Sequence, residues 1–167
     1  SHLALFRRTI GDLRAFVLSQ DLIYVGGGNT FNMLALWRAH GLESIFREAY
    51  DAGVVLAGIS AGALCWFEGG PTDSFGPLAP MRCLGFAPGS LGVHYDADAQ
   101  RRPVLHDAIA RGEIGAGYGV DEGAALHLVD ERLVEVVASR PHATAYRVEM
   151  QGDRVVEQPL AARFLGG

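Results

Sequence analysis

The sequence predicts an α/β protein with a mostly parallel sheet and helices on both of its faces. Two apolar, β-branched runs, at residues 22–25 and 54–57, each end in a glycine-rich turn that leads into a helical pattern. From Gly117 onward, short strand patterns separated by turns replace the helices, which predicts a β-rich C-terminal part. A length of 167 residues, 49% of them hydrophobic, fits one domain spanning residues 1–167.

The composition argues against several classes of function. All 14 basic residues are arginine, so a P-loop lysine, a Schiff-base lysine and a Ser–Lys dyad are excluded. The net charge of −5 and the lack of a basic cluster argue against nucleic-acid binding. No apolar run approaches about 18 residues, so no membrane span is expected. Without a signal-peptide pattern, and with Cys65 and Cys83 forming no disulfide framework, a cytoplasmic protein is expected.

The first half of the chain alternates helices and strands. Apolar residues at helical spacing predict an amphipathic helix over residues 3–19. Residues 22–25 predict a short buried strand that ends in the loop 26–30, where Asn29 or Thr30 can cap the next helix. That helix is expected to end at Gly41, and a second one covers residues 42–52.

The second strand runs directly into Gly58-Ile59-Ser60-Ala61-Gly62. A strand that turns at once into a helix needs a sharp bend at Ser60, and glycine on either side leaves room for it. This pattern is typical of a nucleophile elbow, which exposes the serine hydroxyl at the carboxyl end of its strand. The same pentapeptide also fits an ordinary glycine-rich turn with an N-cap serine.

The second half is predicted from turn residues and alternating patterns. Residues 68–80 are loop-like, and the apolar run 91–93 leads to His94. Residues 102–111 predict a helix. Five short strands follow, at 118–120, 124–129, 133–138, 145–150 and 154–156, and Gly152-Asp153 is placed to form a hairpin turn.

A serine nucleophile needs a base and a group that orients the base. Of the six histidines, His94 is the best candidate, at the end of an apolar run. Asp73 or Glu68, in the loop after the elbow helix, could orient it, although Asp73 also fits an Asx-turn and Glu68 a solvated helix end. The N–H of Ala61 and one N–H from the Gly26-Gly27-Gly28 loop are predicted to form an oxyanion hole.

Several motifs in this order resemble one family. They are Gly26-Gly27-Gly28-Asn29-Thr30-Phe31, Gly58-Ile59-Ser60-Ala61-Gly62-Ala63, Thr72-Asp73-Ser74, His94-Tyr95 with Arg101-Arg102-Pro103, Asp121-Glu122-Gly123-Ala124-Ala125-Leu126 and Ser139-Arg140-Pro141. Together they resemble the peptidase E (aspartyl dipeptidase) family of serine peptidases, which is related to cyanophycinase. The resemblance covers nearly the whole chain.

The resemblance implies a fold like that of the class I glutamine amidotransferases, with serine at the elbow. It also implies hydrolysis of dipeptides that begin with aspartate, without a metal or cofactor. It assigns Ser60 as the nucleophile and His94 as the base, with Asp73 as the third member and Glu68 as the alternative. Gly27 and Ala61 would bind the oxyanion.

The substrate is expected to contact the edge of the sheet that carries Gly26, Gly28 and Asn29. Because the chain has no lysine, an arginine must bind the aspartate carboxylate, and Arg101 and Arg102 follow His94 closely. Arg102 is favoured because it abuts Pro103.

The chain departs from the family pattern at two places. Only residues 1–25 precede the glycine loop, whereas family members carry a further strand–helix–strand region there, so the chain is either a short form or a fragment. Val93 stands where the family often has proline. A homodimer or larger assembly is expected, buried partly through the helix containing Leu3 and Val17. The alternative function is a binding module, an inactive or differently specific relative.

Overall fold

The computed structural model describes residues 1–166. They form two compact units, Ser1–Ala63 and a second unit that begins at Leu64. Each unit is described separately, and the interpretation of residues 1–167 as a single domain stays a prediction. Among residues 1–166, no helix combines the length and the apolar character that crossing a bilayer requires.

The first unit combines short helices with one strand pair. Its elements are α1 (Leu13–Leu18), β1 (Leu22–Val25), α2 (Thr30–Ala39), α3 (Leu42–Asp51), β2 (Val55–Gly58) and the single turn α4 (Ala61–Leu64), which runs into the second unit. β1 and β2 pair in parallel, with Leu22 opposite Val55 and Val25 opposite Gly58. Asn29 caps α2, because its side chain accepts the N–H of Asn32 at 2.9 Å.

Two predictions for this unit are wrong. The helix over 3–19 begins only at Leu13, because Asp12 accepts the N–H of Ala15 at 2.9 Å and so caps α1 instead of continuing a helix. β1 is not fully buried, since Leu22 and Tyr24 are 54% and 61% exposed, and Val55 opposite Leu22 is 56% exposed. One face of the β1–β2 pair is therefore apolar and open to solvent.

The second unit is dominated by β-structure. Its elements are β3 (Phe67–Thr72), β4 (Ala79–Arg82), β5 (Ala87–Gly92), α5 (Arg101–Ala110), β6 (Gly117–Val120), β7 (Ala124–Val129), β8 (Arg132–Ala138), β9 (Ala145–Gln151), β10 (Arg154–Leu160) and β11 (Ala162–Phe164). Six strands form one sheet in the order β10-β9-β6-β5-β3-β4, and three form another in the order β11-β8-β7. α5 packs on the six-stranded sheet.

The prediction of a mostly parallel sheet is wrong for this unit. β3, β5 and β6 are parallel neighbours, but β4, β9 and β10 join antiparallel, so the sheet is mixed. Part of the predicted loop 68–80 is strand β3, because its glycines allow close approach of neighbouring chains. A Cβ on Gly69 would lie 2.4 Å from the carbonyl oxygen of Met81.

The β-rich C-terminal part is confirmed, as is the helix over 102–111, observed as α5. β9 and β10 form the predicted hairpin. Arg154 pairs with Gln151 across the two-residue turn Gly152-Asp153, where Gly152 has a φ of 65°.

Candidate active site

One group of candidate residues lies in the first unit, at the turn after β2. Ser60 has a φ of 55°, a left-handed conformation that is uncommon for a residue with a side chain. A Cβ on Gly58 would lie 2.0 Å from the carbonyl oxygen of Gly62, and one on Gly62 would lie 2.1 Å from that of Val25. Only glycine fits at both positions, so the strand can bend sharply at Ser60.

The glycine loop after β1 lies beside this serine. A Cβ on Gly27 would lie 3.3 Å from the Cβ of Ser60 and 3.8 Å from its Oγ. The first unit therefore brings together Gly27, Ser60 and Ala61, the residues predicted to hold the nucleophile and the oxyanion. Asn29 has a structural task as the cap of α2, and Gly26 and Gly28 flank Gly27 in the same loop.

Another group of candidate residues lies in the second unit, at the turn after β5. His94 also has a left-handed backbone, with a φ of 54°. Its carbonyl oxygen accepts the N–H of Asp98 at 3.1 Å, and the N–H of Tyr95 donates to Val120 at 3.1 Å. These bonds hold the histidine just beyond the carboxyl end of its strand.

The His94 imidazole is paired with a carboxylate that the sequence did not single out as functional. Its Nδ1 lies 3.0 Å from Oε1 of Glu122, and the two side chains are 33% and 37% exposed. A carboxylate at Nδ1 favours the tautomer that carries its proton there, which leaves Nε2 as the nitrogen able to accept a proton. A base with an orienting carboxylate is what activation of a hydroxyl nucleophile requires.

The two carboxylates predicted for this role lie elsewhere. Asp73 follows β3, and its Oδ2 lies 3.8 Å from the guanidinium of Arg101. Glu68 lies in β3 and lines a cavity of about 290 Å³ together with Arg82 and Glu113. The structure thus places Glu122 at Nδ1 of His94, in the position that the sequence analysis gave to Asp73 or Glu68.

Topology explains how Glu122 was missed. β5 has two parallel neighbours, β3 on one side and β6 on the other. The carboxyl ends of all three strands lie at one edge, with Asp73 just after β3 and Glu122 two residues after β6. Asp73 and Glu122 each follow a strand next to β5, and sequence alone could not rank β6 against β3.

The two predicted substrate-binding arginines are held by the protein. Arg101 is largely buried; its guanidinium lies 3.2 Å from Asp98 and donates to the carbonyl oxygen of Pro71 at 3.3 Å, besides approaching Asp73. The backbone N–H of Gln100, and then Arg101, keep the pKa of Asp98 below its ordinary value.

Arg102, favoured from the sequence, points into a different cluster. Its guanidinium pairs with Glu157 and lies 4.6 Å from the ring centroid of Tyr95 and 4.8 Å from that of Tyr146. The Tyr95 hydroxyl donates to Glu157 at 2.6 Å, and Nε2 of His106 lies 3.1 Å from the same carboxylate oxygen. Burial and the Glu157 carboxylate raise the pKa of Tyr95. The cluster anchors the residue that follows His94.

A thiol also lies close to the elbow in sequence. Cys65 follows α4 and is fully buried, and burial raises the pKa of its thiol. Because the thiolate is the reactive form of cysteine, Cys65 is a poor competitor of Ser60 as a nucleophile.

A strand–turn–helix elbow and a histidine–carboxylate pair are the parts of a hydrolase that uses a side-chain nucleophile. The sequence matches the model of Peptidase family S51 over residues 1–136. The chain belongs to this peptidase family, in agreement with the resemblance found in the sequence.

Individual relatives agree with this assignment. The chain is 51% identical over 166 residues to the uncharacterized peptidase YgaJ of Bacillus subtilis (strain 168), a match that covers 99% of this chain and 72% of that protein. It is 29% identical over 135 residues to peptidase E of Shewanella amazonensis (strain ATCC BAA-1098 / SB2B), covering 73% of this chain and 56% of that protein.

A solved structure has a similar fold. The crystal structure of a proposed peptidase E protein from Listeria monocytogenes EGD-e superposes with a TM-score of 0.53 at 19% identity. The match covers 96% of this chain and 70% of that one. At this level of identity, the likeness supports the mixed α/β fold alone.

Proposed function

We propose that this chain is a serine peptidase that hydrolyses short peptides, in particular dipeptides with an N-terminal aspartate. The observation that carries the proposal is the 3.0 Å contact between His94 Nδ1 and Glu122, which prepares an imidazole to act as a base. The elbow that presents Ser60, and membership of Peptidase family S51, support it further.

In the proposed mechanism, Ser60 Oγ attacks the scissile carbonyl while His94 Nε2 takes the hydroxyl proton. Glu122 holds the imidazole and stabilises its positive charge. The N–H groups of Gly27 and Ala61 donate to the oxyanion of the tetrahedral intermediate. His94 then gives its proton to the leaving amine as the C–N bond breaks, which leaves an acyl-enzyme ester on Ser60. Water, deprotonated by His94, attacks this ester, and Ser60 regains its proton as the acid is released.

Selection of aspartate needs a cation for its carboxylate. Of the two arginines predicted for this role, Arg101 is the better supported. Both guanidinium groups are engaged by carboxylates of the protein, Arg101 by Asp98 and Arg102 by Glu157. Arg101 also faces Asp73 just beyond the carboxyl end of β3, whereas Arg102 lies between two tyrosine rings. We therefore assign the substrate carboxylate to Arg101, which reverses the order favoured from the sequence.

The remaining parts of the proposal concern setting and assembly. We propose a cytoplasmic enzyme with a fold of the class I glutamine amidotransferase type that assembles as a homodimer or larger. The helix of residues 3–19 is not available as its interface, since α1 begins at Leu13. The exposed apolar side chains of Leu22, Tyr24 and Val55 support burial through the β1–β2 pair instead.

A fluorophosphonate probe tests the mechanism, because it reacts with an activated serine. Labelling at Ser60, located by peptide mass mapping and lost in Ser60→Ala, is the expected result. Hydrolysis of Asp-x, Glu-x and Asn-x dipeptides, with Asp-x fastest, tests the substrate class. A folded protein that neither reacts with the probe nor hydrolyses any of these dipeptides would instead be a binding module.

A further inference from the structure

The segment that begins at His94 and the segment 120–122 are joined by three hydrogen bonds. The N–H of Tyr95 donates to the carbonyl oxygen of Val120 at 3.1 Å, and His94 Nδ1 lies 3.0 Å from Glu122 Oε1. The third bond is the shortest: the backbone N–H of Glu122 donates to Oδ1 of Asp96 at 2.7 Å. Asp96 has no place in the mechanism proposed above.

The two partners in the His94–Glu122 contact differ in how firmly they are held. His94 lies in a turn whose backbone is fixed on both sides by hydrogen bonds and by the buried Tyr95. The Glu122 side chain is 37% exposed, so packing alone does not select its conformation. The position of the Glu122 carboxylate beside His94 Nδ1 therefore depends on the position of the Glu122 backbone. The hydrogen bond to Asp96 restrains that backbone.

The backbone on either side of Glu122 is also held by segment 139–144, but these contacts do not reach the segment that carries His94. Segment 139–144 brackets the turn from the far side. Ser139 donates its N–H to Gly123, and the backbones of Asp121 and Thr144 are hydrogen-bonded. The Arg140 guanidinium lies 3.4 Å from Glu122 Oε2, but its side chain is 63% exposed, so this pair is a weak restraint. Asp96 is exposed as well, but it accepts a backbone N–H at 2.7 Å and so ties the backbone of Glu122 to the segment that carries His94.

We propose that Asp96 is a positioning residue, which fixes the Glu122 backbone so that its carboxylate meets Nδ1 of His94. Asp96 acts through Glu122 and contacts no reacting atom. The kinetic part of this inference rests on the proposed serine mechanism, whereas its structural part concerns only the contact between Glu122 and His94.

Asp96→Ala removes the acceptor, and Asp96→Asn keeps an acceptor oxygen at the same place while removing the charge. For Asp96→Ala we expect kcat on an Asp-x dipeptide to fall about tenfold with KM changed less than about twofold, because misplacement affects the chemical step. Asp96→Asn should recover most of the loss. Asp12→Ala is the matched control, since Asp12 also accepts a backbone N–H, at 2.9 Å, but does so at the start of α1.

Proton NMR of ¹⁵N-labelled protein supplies a readout that does not depend on activity. The Glu122 amide resonance and the His94 Nδ1–H resonance should both move upfield in Asp96→Ala, and stay near their wild-type positions in Asp96→Asn and Asp12→Ala. Unchanged resonances and unchanged kcat in Asp96→Ala would overturn the proposal, as would equal losses in Asp96→Ala and Asp96→Asn. If wild type cleaves none of the dipeptides but the resonances move as expected, the positioning role stands and the proposed function fails.

Discussion

Two turns that carry candidate residues, one in each unit, hold their central residues in nearly the same unusual backbone conformation by different means. Ser60 has a φ of 55° and His94 a φ of 54°. At Ser60, the conformation depends on two missing side chains, those of Gly58 and Gly62. At His94, it depends on hydrogen bonds to segments far along the chain, such as that from Tyr95 to Val120. The close approach of Gly58 to Gly62 is local in sequence. The approach of Gly62 to Val25 and the hydrogen bonds at the His94 turn exist only once the strands have paired.

The largest expected effect tests the elbow. Ser60→Ala should lower kcat/KM by roughly 10⁵-fold with the protein still folded, because removing a triad nucleophile abolishes the covalent route. Steady-state hydrolysis of an Asp-x dipeptide, with circular dichroism as the folding control, measures it. Retention of more than a few per cent of the activity would rule out Ser60 as the nucleophile.

The second prediction tests the histidine turn. Glu122→Gln should lower kcat by about 10³–10⁴-fold, since an amide cannot stabilise the imidazolium and allows the wrong tautomer. Asp73→Asn and Glu68→Gln serve as controls and should stay within a few-fold of wild type. A larger loss in Asp73→Asn than in Glu122→Gln would return the orienting role to Asp73.

The third prediction concerns the steric basis of the elbow. Gly62→Ala places a Cβ 2.1 Å from the carbonyl oxygen of Val25, so the free energy of unfolding should fall by about 3 kcal/mol or more. Gly11→Ala is the matched control: its Cβ would meet no atom within 4 Å, and we expect it to be neutral or stabilising by up to about 1 kcal/mol. Urea unfolding compares the two, and equal stabilities would contradict the steric account.

The fourth prediction separates the two arginines near the histidine turn. Arg101→Met should lower the ratio of kcat/KM for Asp-x over Asn-x, because the aspartate carboxylate loses its partner. The expected fall corresponds to about 2–3 kcal/mol of transition-state binding free energy. Arg102→Met should leave that ratio nearly unchanged, although it disturbs the cluster around Glu157. The ratio cancels general losses of activity, so a fall only in Arg102→Met would reverse the assignment.

The smallest expected effect is a pH dependence beside Glu122. Asp121 is 6% exposed; its Oδ2 accepts the N–H of Thr144 at 3.1 Å, and among residues 1–166 its Oδ1 has no hydrogen-bond partner. Burial raises the pKa of Asp121 above the ordinary value of 3.8. Folding therefore favours the protonated form, and the contribution of Asp121 to stability is full below pH 3.8 and declines as the pH rises through the raised pKa.

Asp121→Asn resembles the protonated form and should escape this decline. The free energy of unfolding of the variant, relative to that of wild type, should thus increase as the pH rises. Urea titrations between about pH 4 and pH 7 measure this difference. A difference that does not change with pH would contradict the prediction.

The candidate residues could be predicted from the sequence where their contacts are local, and could not where they depend on distant segments. The elbow could be predicted because Gly58, Ser60 and Gly62 lie within five residues, and the close approach of Gly58 to Gly62 is local in sequence. The contact between Glu122 and His94 could not be predicted, because it depends on β6 lying next to β5, and Asp73 follows an equally close neighbour, β3. Arg102 was preferred for its proline neighbour, but Glu157, more than fifty residues later, determines where its guanidinium points.

The same distinction between local and distant contacts explains which elements of the fold could be predicted. The β9–β10 hairpin was predicted because the signals of its two-residue turn and alternating strands are local. The pattern predicted its second strand only over 154–156, whereas β10 runs to Leu160. β3 was missed because its glycines are typical of loops, whereas the close approach of Met81 that requires glycine is visible only in the folded sheet. The helix over 3–19 is wrong because apolar periodicity alone does not show that the Asp12 side chain caps α1.

The contact between Tyr95 and Glu157 bears on where this protein could be shortened. The family model ends at residue 136, yet β9 pairs with β6 within the large sheet and β10 carries Glu157. A chain cut at 136 would leave one side of β6 unpaired and the Tyr95 hydroxyl without its acceptor, one residue from His94. Residues 1–136, which match the family model, are therefore too short to keep this part of the fold intact. A shortened protein should extend at least through Leu160, where β10 ends.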